Sequence, residues 1–368
     1  MKALRCAIIQ KARDPMETPL IREEQNLGAR HMDFRGCRLP DIFSGFDTEY
    51  RAARDTVAIF DTNWHAIVEL SGPDRVRYLN AIVSNDIKKL GEEFGALALL
   101  LNPQGHILAE LEVYALQEKL LVLSHASVRE RTNATLEKFI IMDDVTLTDV
   151  SDQYGTVAIE GPRAGTIVAE ACGLALEGFS EHALAEVKIA GVPCHLIRHS
   201  HFGSPGAEIV AAREHLGVLW NSLYASVHAQ HGLPIGMRTL NTLRLEAGIA
   251  WFPDDFNDTV IPQEAALESS HISFTKGCYT GQEIVERVRS RGQVNRRLTR
   301  LKFSSSEPPI PLTRLRTKDS EAKEVGIITS SAFSPSAGTA IGMAYVRREH
   351  NSPGTILDID GGNAEVRA

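Results

Sequence analysis

The chain has 368 residues, more than one compact core usually holds, so it suits two or three domains. Hydrophobic residues make up 43% and charged residues 23%, and the net charge of −8 argues against generic binding to nucleic acid or anionic membrane. The longest apolar run, Ala96 to Leu101, is too short to cross a bilayer.

Residues 1–45 carry Gly, Pro and charge with little periodicity and read as an irregular N-terminal arm. The stretch Met1 to Gln10 is broken by Arg5 and is not read as a signal peptide. Glu49 to Phe60 reads as a helix, and Ile67 and Leu70 mark a strand. Ser71-Gly72-Pro73-Asp74 then turns the chain into a helix through Val76, Leu79 and Ile82. A second strand–Gly-Pro–helix unit follows at Val157 to Pro162, which suggests a duplicated α+β module. Between the two units lie strands at Ala96–Leu101, Ile107–Tyr114 and Lys119–Ser124. The turn Asn102-Pro103-Gln104-Gly105 joins the first two into a hairpin. A helix spans about Ser127 to Phe139. Val187 to Arg198 reads as strand turning at Gly191, and Leu216–Gln230 and Met237–Ala247 read as helices. From residue 297 onward, short β-like runs alternate with Pro, Gly and Ser clusters, the texture of a small β-barrel.

Five cysteines (Cys6, Cys37, Cys172, Cys194, Cys278) are scattered without a C-x-x-C pair. This argues against a disulfide framework or zinc ribbon and points to a reducing, cytoplasmic setting. Cys194, His195, His199 and His201 invite a metal reading, but their strand-like context spaces them wrongly for a compact tetrahedral site. No metal is therefore expected. Arg287 to Lys302 holds seven basic residues and no acidic one. It is either a solvated face or a docking patch for an anionic tail or acidic partner.

The densest motif is Lys276-Gly277-Cys278-Tyr279-Thr280-Gly281-Gln282-Glu283. Thr280 and Glu283 have capping-box spacing, which places Cys278 two residues before a helix N-terminus. The free amides there and the Lys276 ammonium would favour a thiolate. Equally, a lone cysteine packs as a small hydrophobe.

This octapeptide resembles the signature of the YgfZ family of folate-binding proteins, which act in iron–sulfur protein maturation or repair. Roughly Gly28 to Val366 resembles the wider glycine-cleavage T-protein superfamily. The resemblance rests on Met32-Asp33-Phe34-Arg35-Gly36, Leu70-Ser71-Gly72-Pro73-Asp74, Ser84-Asn85-Asp86, Leu101 to Gly105, Gly161-Pro162, Leu243 to Gly248 and Phe333-Ser334-Pro335, in that order. It implies interleaved α+β modules over residues 46–296 around a central folate cavity, with a small β-barrel over 297–368. The implied cofactor is tetrahydrofolate or a one-carbon derivative. The implied partners are iron–sulfur client or assembly proteins, with neither nucleic acid nor membrane. Residue by residue, it implies Glu208 as the pterin-binding carboxylate, Arg238 near the folate carboxylates, and Tyr279 as a further folate contact. Glu110 stands where a T-protein carries the aspartate facing the reacting nitrogen, and Cys278 with Lys276 forms the working pair of the YgfZ branch. Because Glu110 is a methylene longer than that aspartate, glycine-cleavage turnover is expected to be absent or poor. The alternative is a tetrahydrofolate-dependent aminomethyl- or methyltransferase.

Overall fold

The two Gly-Pro turns begin equivalent units in two different sheets. In the computed structural model, which describes residues 15–368, strand His65–Ser71 passes through Gly72 into helix Arg75–Ile82. Strand Tyr154–Glu160 passes through Gly161 into helix Ala164–Cys172. Both glycines have positive φ, 99° and 140°. A Cβ at Gly72 would stand 2.3 Å from the Asp144 carbonyl oxygen, and one at Gly161 would stand 2.7 Å from that of Thr56. Only glycine admits that conformation and that approach together.

The first unit belongs to a five-stranded sheet in the order Gly95–Leu101, Ile107–Ala115, Lys119–His125, His65–Ser71, Thr146–Asp149. The second belongs to a six-stranded sheet in the order Leu184–Ile189, Val192–Arg198, Gly206–Ala212, Tyr154–Glu160, Ala58–Asp61, Leu233–Pro234. Period-2 alternation places Ile107, Ala109, Leu111 and Val113 in the first core and turns Glu110 and Glu112 to the opposite face. Trp220, fully buried on helix Leu216–Ala229, anchors the second core. The predicted barrel is present as a closed six-stranded barrel that begins at Arg296. The fold class is α+β with a C-terminal barrel.

Buried polar groups join the barrel to the sheets. Arg244, on helix Met237–Ala247, and Asp255 are both fully buried and form an ion pair. Asp255 also accepts from Thr329 Oγ1 at 2.5 Å and Ser330 Oγ at 2.7 Å on the barrel, while the Tyr345 hydroxyl donates to its backbone carbonyl at 2.8 Å. Burial opposes ionisation of Asp255, but Arg244 and these donors overcome it and hold its pKa below the ordinary value.

Two expectations are corrected. The helix expected over Glu49–Phe60 spans Phe46–Asp55, and Ala58–Asp61 is a buried strand. Its apolar residues pair antiparallel with Tyr154–Glu160, so a distant strand overrides a locally helical pattern. The described part of the supposed irregular arm holds helix Ile21–Asn26 and a three-stranded sheet of Met16–Glu17, Cys37–Ile42 and Arg30–Phe34. Those strands are too short to show alternation. Residues 1–14, with Cys6 and the stretch read against a signal peptide, lie outside the described residues. Among the described residues no helix is long and apolar enough to cross a membrane.

Candidate functional site

A cavity of about 650 Å³ opens where the sheets and the barrel meet. One part of its wall is aromatic: Phe34, Trp64 and Trp251 pack with ring centroids 5.8–6.2 Å apart. The Arg35 guanidinium lies over the Phe34 ring at 4.1 Å and is held by Asp254. Glu110 and Glu112 enter from strand Ile107–Ala115, and Arg297, Arg300 and Arg367 of the barrel complete the lining.

Glu110 is not free. Its Oε1 lies 2.9 Å from His271 Nε2, and His271 Nδ1 lies 2.8 Å from Ser270 Oγ. A carboxylate oxygen accepts, so an imidazole protonated at Nε2 donates to Glu110 and leaves Nδ1 to accept a hydrogen bond from the Ser270 hydroxyl. The result is a carboxylate–imidazole–hydroxyl chain reaching into the cavity. Glu112 accepts from the Tyr114 hydroxyl at 2.5 Å. His271 was missed at sequence level, since 161 residues separate it from Glu110 and no local motif marks it.

The opposite wall is rich in histidine. His199 and His201 sit on the turn after strand Val192–Arg198, and His65 begins strand His65–Ser71. The turn is organised by buried Glu160, which accepts from the Ser200 hydroxyl and from the backbone N–H groups of His201, Phe202 and Ser204 at 2.6–3.0 Å. Glu208, on strand Gly206–Ala212, lies behind this layer with 1% of its side chain exposed. His65 Nε2 approaches one of its oxygens at 3.1 Å and His201 Nε2 the other at 3.4 Å. Burial alone would raise the Glu208 pKa, but His65 and His201 pull it well below the ordinary value. Burial depresses His199 well below 6.5, and neighbouring His201 and His182 add to this, so its ring is neutral. Glu208 therefore does not line the cavity itself. The two imidazoles cover it, and the carboxylates on the wall are Glu110, Glu112 and Glu181.

The metal reading of the sequence also changes. Cys194 packs in the core of the six-stranded sheet, and His195 faces Glu186 at 4.0 Å. His199 and His201 instead meet Glu208, a residue from the adjacent strand that in-strand spacing could not supply.

Other expected site residues lie elsewhere. Arg238 pairs with Asp41 Oδ2 at 2.5 Å with 55% of its side chain exposed, and it does not line the cavity. Tyr279 is buried in the core of the five-stranded sheet. The Lys276 ammonium donates to the carbonyls of Asn80, Val83 and Asn85 at 2.5–3.0 Å. Burial pulls its pKa down to about 8, with Asp86 opposing. All three ammonium protons are thus committed to carbonyls, and Lys276 anchors the segment rather than bonding the thiol. The capping box does not form either. Helix Gln282–Arg291 has Gly281 as its N-cap at φ 82°, without a side-chain cap, and Glu283 pairs with Arg287 at 2.6 Å. Cys278 is exposed, whereas Cys37 and Cys194 are buried and Cys172 is intermediate. The basic run is largely paired: Arg287, Arg289, Arg296 and Arg297 each meet a glutamate.

Residues 20–276 match the GCVT N-terminal domain, and residues 296–368 match the glycine cleavage T-protein C-terminal barrel domain. An aminomethyltransferase of Saccharopolyspora erythraea is 29% identical over 348 residues, 94% of either chain. One from Listeria welshimeri is 29% identical over 356 residues, 96% of either chain. The crystal structure of the glycine cleavage system aminomethyltransferase T from Bartonella henselae superposes with a TM-score of 0.85 at 22% identity, covering 96% of this chain and 97% of that one. With both of its domain models matched across nearly all of the described residues, the chain belongs to the glycine-cleavage T-protein family.

Proposed function

We propose that the cavity binds a reduced folate and that the Glu110–His271 pair handles a proton at the bound pterin system. The observation that carries this reading is the lining itself. Flat aromatic side chains suit a pterin ring, inward carboxylates suit its amino and ring N–H donors, and arginines suit the carboxylates of a glutamate tail. The volume falls within the roughly 300–1,000 Å³ of small-molecule sites. Phe34, Trp64 and Trp251 would hold the ring, Glu110 and Glu112 would orient it, and Arg297 and Arg300 would meet the tail. The folate would supply the one-carbon carrier nitrogens. The relatives named aminomethyltransferase support a one-carbon transfer reading of the same cavity.

Calorimetry with tetrahydrofolate tests it. Wild type should bind saturably. Glu110→Gln should weaken binding by about 10–100-fold, the loss of one charge-assisted hydrogen bond of about 1.5–3 kcal/mol. Equal affinity for both proteins sinks the Glu110 assignment. Ammonia release from an aminomethylated lipoyl carrier, run in parallel, decides whether transfer accompanies binding.

A second reading has its own observation. Cys278 is exposed, and nothing lies within 4 Å of where a Gly277 side chain would start, so a partner thiol or cluster can approach. This favours YgfZ-type support of iron–sulfur proteins, with turnover of the glycine-cleavage kind absent. Cys278→Ser should then keep folate binding and lose that support in cells lacking the native protein. Full complementation by the variant would leave Cys278 without this role.

A further inference from the structure

His199, His201 and Glu208 converge from a turn and the strand that follows it. One ligand atom from each lies within 4.8 Å of the others. A second group, Glu112, His182 and His199, has the same spread and shares His199. The His199 and His201 rings are 4.3 Å apart, edge to face. His65 adds a third imidazole at 3.1 Å from Glu208.

These groups are poorly satisfied within the protein. Both Glu208 oxygens, His201 Nε2, His65 Nε2 and His199 Nδ1 are buried and make no hydrogen bond of good geometry. His65 and His201 approach the two Glu208 oxygens at 3.1 and 3.4 Å, and ligand atoms of His199, His201 and Glu208 cluster together. Buried donors and acceptors left in this state are destabilising, because they have lost water without gaining a partner. Paired histidines donating to Glu208 would answer the carboxylate but leave His199 Nδ1 facing only Glu181 Oε1 at 3.8 Å, beyond hydrogen-bond reach.

We propose that His199, His201 and Glu208 bind a first-row divalent transition metal of the zinc or iron(II) class, with His65 or Glu112 as the neighbouring donor. Two imidazoles and a carboxylate suit these borderline ions, whereas magnesium and calcium prefer all-oxygen sets. Bonds of about 2.0–2.1 Å set tetrahedral ligand atoms ~3.4 Å apart, so the observed spread closes with small side-chain rotations. The turn is already held from behind by Glu160 through the His201 backbone, which limits the reorganisation. The site faces the cavity, since His65, His199 and His201 all line it, so the metal keeps an open position toward any bound molecule. The proposal rests on the histidine geometry and is independent of the folate reading.

The test is titration of chelator-treated protein with Co²⁺, read by visible d–d absorption and by calorimetry. One equivalent should bind, without a thiolate charge-transfer band, and Zn²⁺ should displace it. His199→Ala and His201→Ala should each weaken binding at least tenfold, whereas His228→Ala, an exposed helical histidine, should not. Circular dichroism of the variants checks the fold, and His199→Asn serves if an alanine variant unfolds. The proposal is overturned if wild type shows no saturable Co²⁺ binding below ~100 µM, a micromolar-class affinity being the weakest expected of such a site. It is equally overturned if the histidine variants bind as wild type, or if a thiolate band places the metal on cysteine.

Discussion

Glu24 shows how one buried group imposes a pH dependence on the molecule. It lies wholly buried on helix Ile21–Asn26, 2.7 Å from His31 Nε2. Burial first, and then the nearby Asp61 carboxylate, push its pKa up to about 11. The folded state therefore holds a proton that the unfolded chain releases above the ordinary value of 4.5. Because the folded pKa is the higher one, the associated stability is complete below 4.5 and is lost as pH rises from there. Glu24→Gln keeps the shape and needs no proton. It should match wild type near about pH 4 and exceed it by ~1–3 kcal/mol near about pH 8, measured by urea unfolding across pH. Parallel pH profiles for the two proteins would show that Glu24 is not the group responsible. Nothing in the residue string marks Glu24 as buried, since its helix is six residues long and its partners lie on other elements. Arg244, by contrast, is a buried charge that is paired, with Asp255.

At the scale of elements, the Cys278 segment is locked to the hairpin turn that the sequence marked independently. Gly281 stands at φ 82°, and a Cβ there would meet the Asn102 carbonyl oxygen at 2.7 Å. Gly105 of the same turn faces Ile284, where a Cβ would come within 3.0 Å. Lys276 closes the segment from the other side through the carbonyls of Asn80, Val83 and Asn85, at and just beyond the end of helix Arg75–Ile82. Gly281→Ala should therefore cost roughly 1–3 kcal/mol from backbone strain alone. It should also speed amide exchange from about residue 276 to 285, while Gly277→Ala, with open space around it, should change little. Chemical denaturation and hydrogen exchange read both, and an equal response of the two variants would contradict this account. The motif was visible in the sequence, but its glycine acts as a backbone contact and left-handed cap rather than through a Thr280–Glu283 box.

At the scale of the whole molecule, the cavity belongs to no single lobe. The three-stranded sheet contributes Phe34 and Arg35, the five-stranded sheet Glu110 and Glu112, the turn beside the six-stranded sheet His199 and His201, and the barrel Leu298 to Arg300. A ligand there binds only the assembled state. At a concentration of 100 times its Kd it should add about 2.7 kcal/mol, raising Tm by roughly 3–4 °C for a chain of this length. Scanning calorimetry with tetrahydrofolate checks this, and an unchanged Tm would show that the cavity does not bind it. Sequence alone determined the elements whose signals are local: the Gly-Pro turns, the alternating hairpin strands, the long helices and the barrel texture. The shared face of Glu110 and Glu112 is of the same kind, because period 2 is a property of consecutive residues in a strand. Tertiary structure alone decided which groups meet. His271 reaches Glu110, His65 and His201 cover Glu208, and Asp41 takes Arg238 away from the cavity. Each of these contacts joins separate elements, and long-range packing and burial, not spacing along the chain, set which side chains come within hydrogen-bond reach.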